Sequence, residues 1–171
     1  MTATITGNGI DKVQDGSIQA ADLASGVPSR SQLPAGTVLQ VVQAYTGTQV
    51  TLTTNTQTAT GLTATITPTS ATSKILVVYF QNGIRKVNDT GCGVSLFRNS
   101  TELGAASIYA GYTSTTTNNQ PGSVGNTWLD SPATTSAVTY STKAWSTANI
   151  SMVQLQVNAE YSSITLMEIA A

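Results

Sequence analysis

"KILVVYFQNG", residues 74–83, decides the fold. Every residue from Ile75 to Phe80 is apolar, and Val, Ile, Tyr and Phe favour a pleated strand. The run is too short for a buried helix and ends in Asn82-Gly83, so it reads as a central strand covered on both faces, the heart of a core. Immediately before it, "TGLTATITP" (60–68) sets Leu62, Ala64 and Ile66 against Thr63, Thr65 and Thr67, the alternation of a strand with one wet face.

The same texture runs outward in both directions. Upstream, "GTVLQVVQAY" (36–45) predicts a first strand with Leu39, Val41 and Tyr45 on one face and Val38, Val42 and Ala44 on the other; "QVTLTT" (49–54) follows as a short one. Downstream, "GVSLFRNSTELG" (93–104) predicts a hairpin turning at Asn99-Ser100. "ASIYAGYT" (106–113) continues the return strand, and "TSTTTNNQPGSVGN" (113–126) reads as a long polar surface loop. Strands are then expected before and after the Ser131-Pro132 turn, over "NISMVQLQVNA" (149–159), and over the final "SSITLMEIAA" (162–171).

Short strands spaced by turns, with no ten-residue helical pattern beyond residue 33, predict an all-β chain. The expected fold is an antiparallel two-sheet β-sandwich of jelly-roll type, with a closed barrel second. Residues 1–33 lack the apolar density for a core, so they form an extended N-terminal arm ahead of a head domain at 34–171. Within "GSIQAADLASGVPSRSQLPAG" (16–36), Ser17 is placed to cap a short helix over 18–25, stopped by Gly26 and Pro28.

Composition narrows the chemistry. Of 171 residues 40% are hydrophobic but only 9% charged, so solubility falls to Thr, Ser, Asn and Gln. A formal net charge of -1 supplies no basic stripe for nucleic acid. The chain has no His, which removes the usual general base, the Ser/His and Cys/His nucleophile pairs and the commonest metal ligand. Its carboxylates are scattered; Asp130 with Glu160 is the one conceivable glycosidase pair, and Asp11, Asp15 and Asp22 fit no calcium-loop spacing. No enzyme, cofactor or metal is expected. One cysteine, Cys92, cannot form an internal disulfide and reads as a small strand residue. The first residues have no basic and apolar leader pattern, and no apolar run approaches the ~20 residues of a membrane helix, so a protein made in the cytoplasm, without membrane insertion, is expected. Asn88, Asn99 and Asn149 head glycosylation-like tripeptides that a Thr/Ser-rich chain produces by chance.

"LPAGTVLQVVQA" (33–44), "TGLTATITPTSATSKILVVYFQNG" (60–83), "LFRNSTELG" (96–104), "WLDSPATTSAVTYS" (128–141) and "ITLMEIAA" (164–171) together resemble a family of virion structural proteins of tailed bacteriophages, frequent in marine and cyanobacterial phages and often described as tail-fibre-like. The resemblance covers residues 34–171 and implies a non-enzymatic β-sandwich head on the virion exterior, assembled as a homotrimer. Packing about a threefold axis would also cover Thr-rich edge strands that carry few protecting charges. No heptad shaft precedes the head, which favours a capsid decoration or cement protein, or a short spike, over a long fibre.

Two sets of contact residues follow. Ile5, Ile10, Val13, Ile18, Leu23 and Val27 are the expected anchors of the arm on a major capsid protein or tail component. Alternatively the head is a tail-fibre tip that recognises a host surface glycan, with Tyr112, Asn118, Asn119, Gln120 and Trp128 as its loop contacts.

Overall fold

The structure is a computed structural model describing residues 33–114, 117–149 and 151–171. The expected arm anchors and the helix over 18–25 lie outside these residues. Pro34–Ala171 form one compact unit built of strands. In chain order these are β1 (Val38–Thr46), β2 (Val50–Leu52), β3 (Thr58–Ile66), β4 (Lys74–Lys86), β5 (Thr90–Arg98), β6 (Thr101–Thr113), β7 (Asn119–Asp130), β8 (Val138–Ser146), β9 (Val153–Leu155) and β10 (Ser162–Ile169).

They form two antiparallel sheets. One has the order β3-β8-β5-β6. In the other, β4 pairs with β7 along one edge and with β10 and then β9 along the other, while β1 and β2 run beside β10 and β9. Since β1/β2 and β9/β10 are each one interrupted strand, this sheet is four strands wide, and the whole is an eight-strand jelly roll of two sheets rather than a closed barrel.

All four ribbons fold back around the same short stretch of the chain. Arg98 faces Thr101, Ile75 faces Asp130, Ile66 faces Val138 and Val38 faces Ile169. Pro34–Ala171 is therefore a single long hairpin, rolled up, whose tip is the predicted Asn99-Ser100 turn. Asn99 has φ 53, a left-handed conformation that Asn tolerates better than other non-glycine residues. Its amide donates to Thr139 O at 2.7 Å, and its Oδ1 accepts from Thr139 N at 3.0 Å, which ties the tip to β8.

The core lies between the sheets. Alternation puts Ile75, Val77 and Tyr79 of β4 and Ile164 and Leu166 of β10 inward from one side. From the other come Leu62 and Ile66 of β3, Val94 and Leu96 of β5 and Tyr140 of β8, all at most 1% exposed. Cys92 is fully buried among them, and burial pushes its thiol up to about 12, so it is a packed and unreactive group. Close packing also fixes Gly93, because a Cβ there would run into the Trp145 ring on β8.

Three expectations are corrected. β4 is covered on one face only: Leu76 and Val78 are half-buried and Phe80 is 48% exposed on the outer surface of the sheet. The loop expected over 113–126 is mostly strand, since β7 begins at Asn119. Its sequence looked like loop because β7 is an edge strand with mostly exposed residues, where Pro121 is tolerated and Gly122, at φ 85, fits an irregular register. The strand expected over 149–159 stops at Leu155, and a 3-10 turn at Val157–Ala159 follows, with left-handed Gln156, Asn158 and Ala159.

Gly93→Ala, which must displace the half-buried Trp145 ring packed over it on the outer side of the sheet, is expected to destabilise the fold by about 1–3 kcal/mol in urea unfolding. Asn99→Ala, which loses both the side-chain bond and the tolerance for left-handed backbone, should cost about 1–2 kcal/mol by the same measurement.

Candidate functional site

Buried polar side chains are the first place to look for chemistry, and here they act as ties. Asp130, at the end of β7, accepts from Arg98 Nη1 at both carboxylate oxygens, each at 2.9 Å, and from the Tyr140 hydroxyl at 2.7 Å. Burial, then the Asp130 carboxylate beside it, raises the Tyr140 hydroxyl well above its ordinary range. This trio joins the two sheets at the end that carries the hairpin tip. Glu160 sits apart from it, exposed in the 156–161 segment, so the conceivable glycosidase pair is not assembled.

Glu168, on β10, is fully buried and accepts from Gln40 Nε2 at 2.6 Å and from Thr69 N and Oγ1 at 2.7 Å. Burial by itself would raise its pKa, but the hydrogen bonds from Thr69, Gln40 and Ser73 outweigh that and hold it below 4.5. The carboxylate thus pins the β3–β4 connection. Lys86, also fully buried, donates from Nζ to Asn88 O at 2.7 Å and to Thr113 Oγ1, closing the opposite end. Among the described residues no three His, Cys, Asp or Glu side chains come together in the manner of a metal site.

A third polar set crosses the core. The Thr60 and Thr142 hydroxyls meet at 2.6 Å, Thr142 Oγ1 donates to Gln81 Oε1 at 3.1 Å, and Gln81 Nε2 donates to Ser162 Oγ at 2.8 Å. With the Gln156 amide turned so that its oxygen accepts from Ser162 Oγ, its nitrogen reaches Thr48 O at 3.1 Å. The chain of bonds leads from the β3/β8 sheet through the core to the breaks between β1 and β2 and between β9 and β10.

The outer face of the other sheet is the larger feature. Register aligns Val41, Met167, Leu76 and Leu129 in one row across all four strands. The next rows are Gln43, Thr165, Val78 and Thr127, then Tyr45, Ser163, Phe80 and Gly125. Not one of these residues is charged. Val41 and Leu129 are 58% and 53% exposed, and such an apolar row on an exposed sheet face is what a protein–protein contact uses.

Two pairs of exposed aromatic rings flank the sheets. Tyr45 and Tyr161 meet edge to face with centroids 5.6 Å apart. Tyr109 and Tyr112 on β6 do the same at 5.7 Å, and a hydrogen bond with Asp89 raises the Tyr112 hydroxyl. The expected glycan contacts divide accordingly. Tyr112 and Asn119 sit near the β6–β7 connection, with Asn119 Nδ2 donating to Gly111 O at 3.0 Å; Asn118 and Gln120 are exposed beside them. Trp128 does not join this group, because it lies far along β7 with its ring against Gly104 of β6. Tyr45 and Tyr161 lie outside the expected loop contacts. The outward position of Tyr45 was legible from alternation, whereas that of Tyr161 depends on the non-strand backbone before it.

Glu168→Gln tests the buried carboxylate. Because the folded-state pKa is depressed, its stabilisation is present above 4.5 and is lost as pH falls through the lower folded value. The variant is expected to be about 1–2 kcal/mol less stable near neutral pH and to lose less than the parent on acidification, as read by thermal melts across pH.

No family model matches the chain, and no curated protein matches it. Among solved structures, one titled "Structure of infectious bursal disease virus Gt strain" is similar over 78% of this chain and 39% of its own length, with a TM-score of 0.34 and 10% identity. A likeness at this level assigns the chain to no family.

Proposed function

We propose that this chain is a non-enzymatic structural protein of a bacteriophage virion, a homotrimeric decoration or cement protein or short spike on the particle exterior. The observation that carries the reading is the uncharged outer sheet face with its registered row of Val41, Met167, Leu76 and Leu129. Apolar residues on both sides of β4 are costly in a free monomer, and they are economical when a second surface covers the outer set. The resemblance of residues 34–171 to phage virion proteins supplies the setting, and a His-free chain with carboxylates committed to structural ties supports a role in assembly. In this reading residues 1–33 attach the head to a major capsid protein or tail component through Ile5, Ile10, Val13, Ile18, Leu23 and Val27.

Sedimentation of the purified chain should give three times its 17.7 kDa mass. Val41→Lys with Leu129→Lys, both at exposed positions, should reduce it to a monomer with an unchanged circular dichroism spectrum; a monomeric parent would overturn the reading. Deleting residues 1–33 should abolish binding to purified particles, and full occupancy by the truncated head would show that attachment lies elsewhere.

A further inference from the structure

Two neighbouring strands break at the same level of the sheet. β1 stops at Thr46 and β2 resumes at Val50, while alongside them the chain leaves β9 at Leu155 and rejoins at Ser162. The longer detour holds Gln156, Asn158 and Ala159 at φ 54, 56 and 59. Left-handed backbone is unfavourable for residues with a Cβ, and strain of this kind gathers where a fold positions a functional group. The detour is nevertheless well fixed. Gln156 N donates to Asn82 O at 3.0 Å, Asn82 Nδ2 donates to Tyr161 O at 2.6 Å, and Gly83 has no room for a Cβ, which would lie 2.7 Å from Val157 N.

What this backbone presents is Tyr161. It is 64% exposed, set at 85° against Tyr45, which is 71% exposed. Gly47 makes space for the ring, since a Cβ there would stand 3.1 Å from Tyr161 Cε1. On one side of the pair is a groove of about 410 Å³ lined by Gln43, Tyr45, Tyr161 and Ser163. On the other is one of about 370 Å³ bounded by Thr46, Gly47, Thr48 and Ala159 with the same two rings. Phe80, next in the row, lies over Gly125 instead of Ser163, which leaves the first groove open.

The lining names the ligand class. It contains no charged side chain, so an ionic ligand finds no counter-charge. Aromatic rings offer a surface to the C–H face of a sugar, and the lining adds the Gln43 amide, whose Nε2 donates to Thr165 Oγ1 at 3.1 Å, the Ser163 hydroxyl and two phenol groups as hydrogen-bonding partners. We infer that the Tyr45–Tyr161 groove binds a neutral hexose or N-acetylhexosamine unit of a glycan. The inference does not rest on the assembly reading, since every lining residue comes from one chain.

Saturation-transfer NMR with the full chain tests it, using chitotriose, maltotriose and lactose as neutral probes and 3′-sialyllactose as the acidic one. At least one neutral probe should receive saturation, and Tyr161→Ala and Tyr45→Ala should each weaken it about tenfold, as loss of one stacking ring implies, with Tyr109→Ala unchanged. Both tyrosines are exposed, so circular dichroism should show intact folding in each variant. The proposal is overturned if no neutral probe binds, if binding survives the Tyr45→Ala/Tyr161→Ala double substitution, if Tyr109→Ala alone removes it, or if the acidic probe binds better than the neutral ones. None of these outcomes depends on the sedimenting mass of the parent.

Discussion

Register about the Asn99-Ser100 turn is the constraint from which the rest of the molecule follows. Arg98 faces Thr101 at the tip, and the outer ribbons, their centres displaced from it by a few residues, place Ile75 opposite Asp130, Ile66 opposite Val138 and Val38 opposite Ile169. A slip of one residue would turn an entire strand over, sending Ile75, Val77 and Tyr79 to the outside. Buried polar ties make such slips costly: Asp130 must meet Arg98 and Tyr140, and Glu168 must meet Gln40 and Thr69. Apolar packing supplies most of the drive to collapse, whereas these directional contacts select one arrangement of the collapsed sheets.

The strands, the hairpin and the sandwich were legible because alternation and turn chemistry are local. Leu62, Ala64 and Ile66 announce their inward face through Thr63 and Thr65, and Asn99 announces the turn. What escaped reading depends on partners distant in sequence. β7 has few apolar residues because only β4 pairs with it, so nothing between Asn119 and Val124 signals a strand. Two apolar faces on β4 were read as full coverage, although alternation cannot say whether the second face meets this chain or another. The aromatic groove was hidden for a similar reason, since Tyr161 meets Tyr45 only after β10 has paired with β1.

The two surface features divide the outer sheet between them. Toward one end lies the apolar row of Val41, Met167, Leu76 and Leu129; two rows away lies the tyrosine pair, where both strands break. A face suited to covering by protein and a groove suited to a small polar ligand place different demands on a sheet. Flat, unbroken pairing serves the first. An interruption that lifts side chains out of the pleat serves the second, and the buried chain of bonds from Thr60 to Gln156 anchors that interruption to the core.

The nested pairing also sets the order in which the chain meets its partners. During synthesis β1, β3 and β4 emerge before β10, β8 and β7, the strands they need. Only β5 and β6 are adjacent in sequence, so the ribbon zips outward from its tip, each closed pair shortening the loop that the next must close. Of the described strands, the first made is the last one satisfied. A nascent chain therefore carries open Thr- and Val-rich strands until β10 has emerged, and its low charge leaves this state with little electrostatic protection against meeting its neighbours.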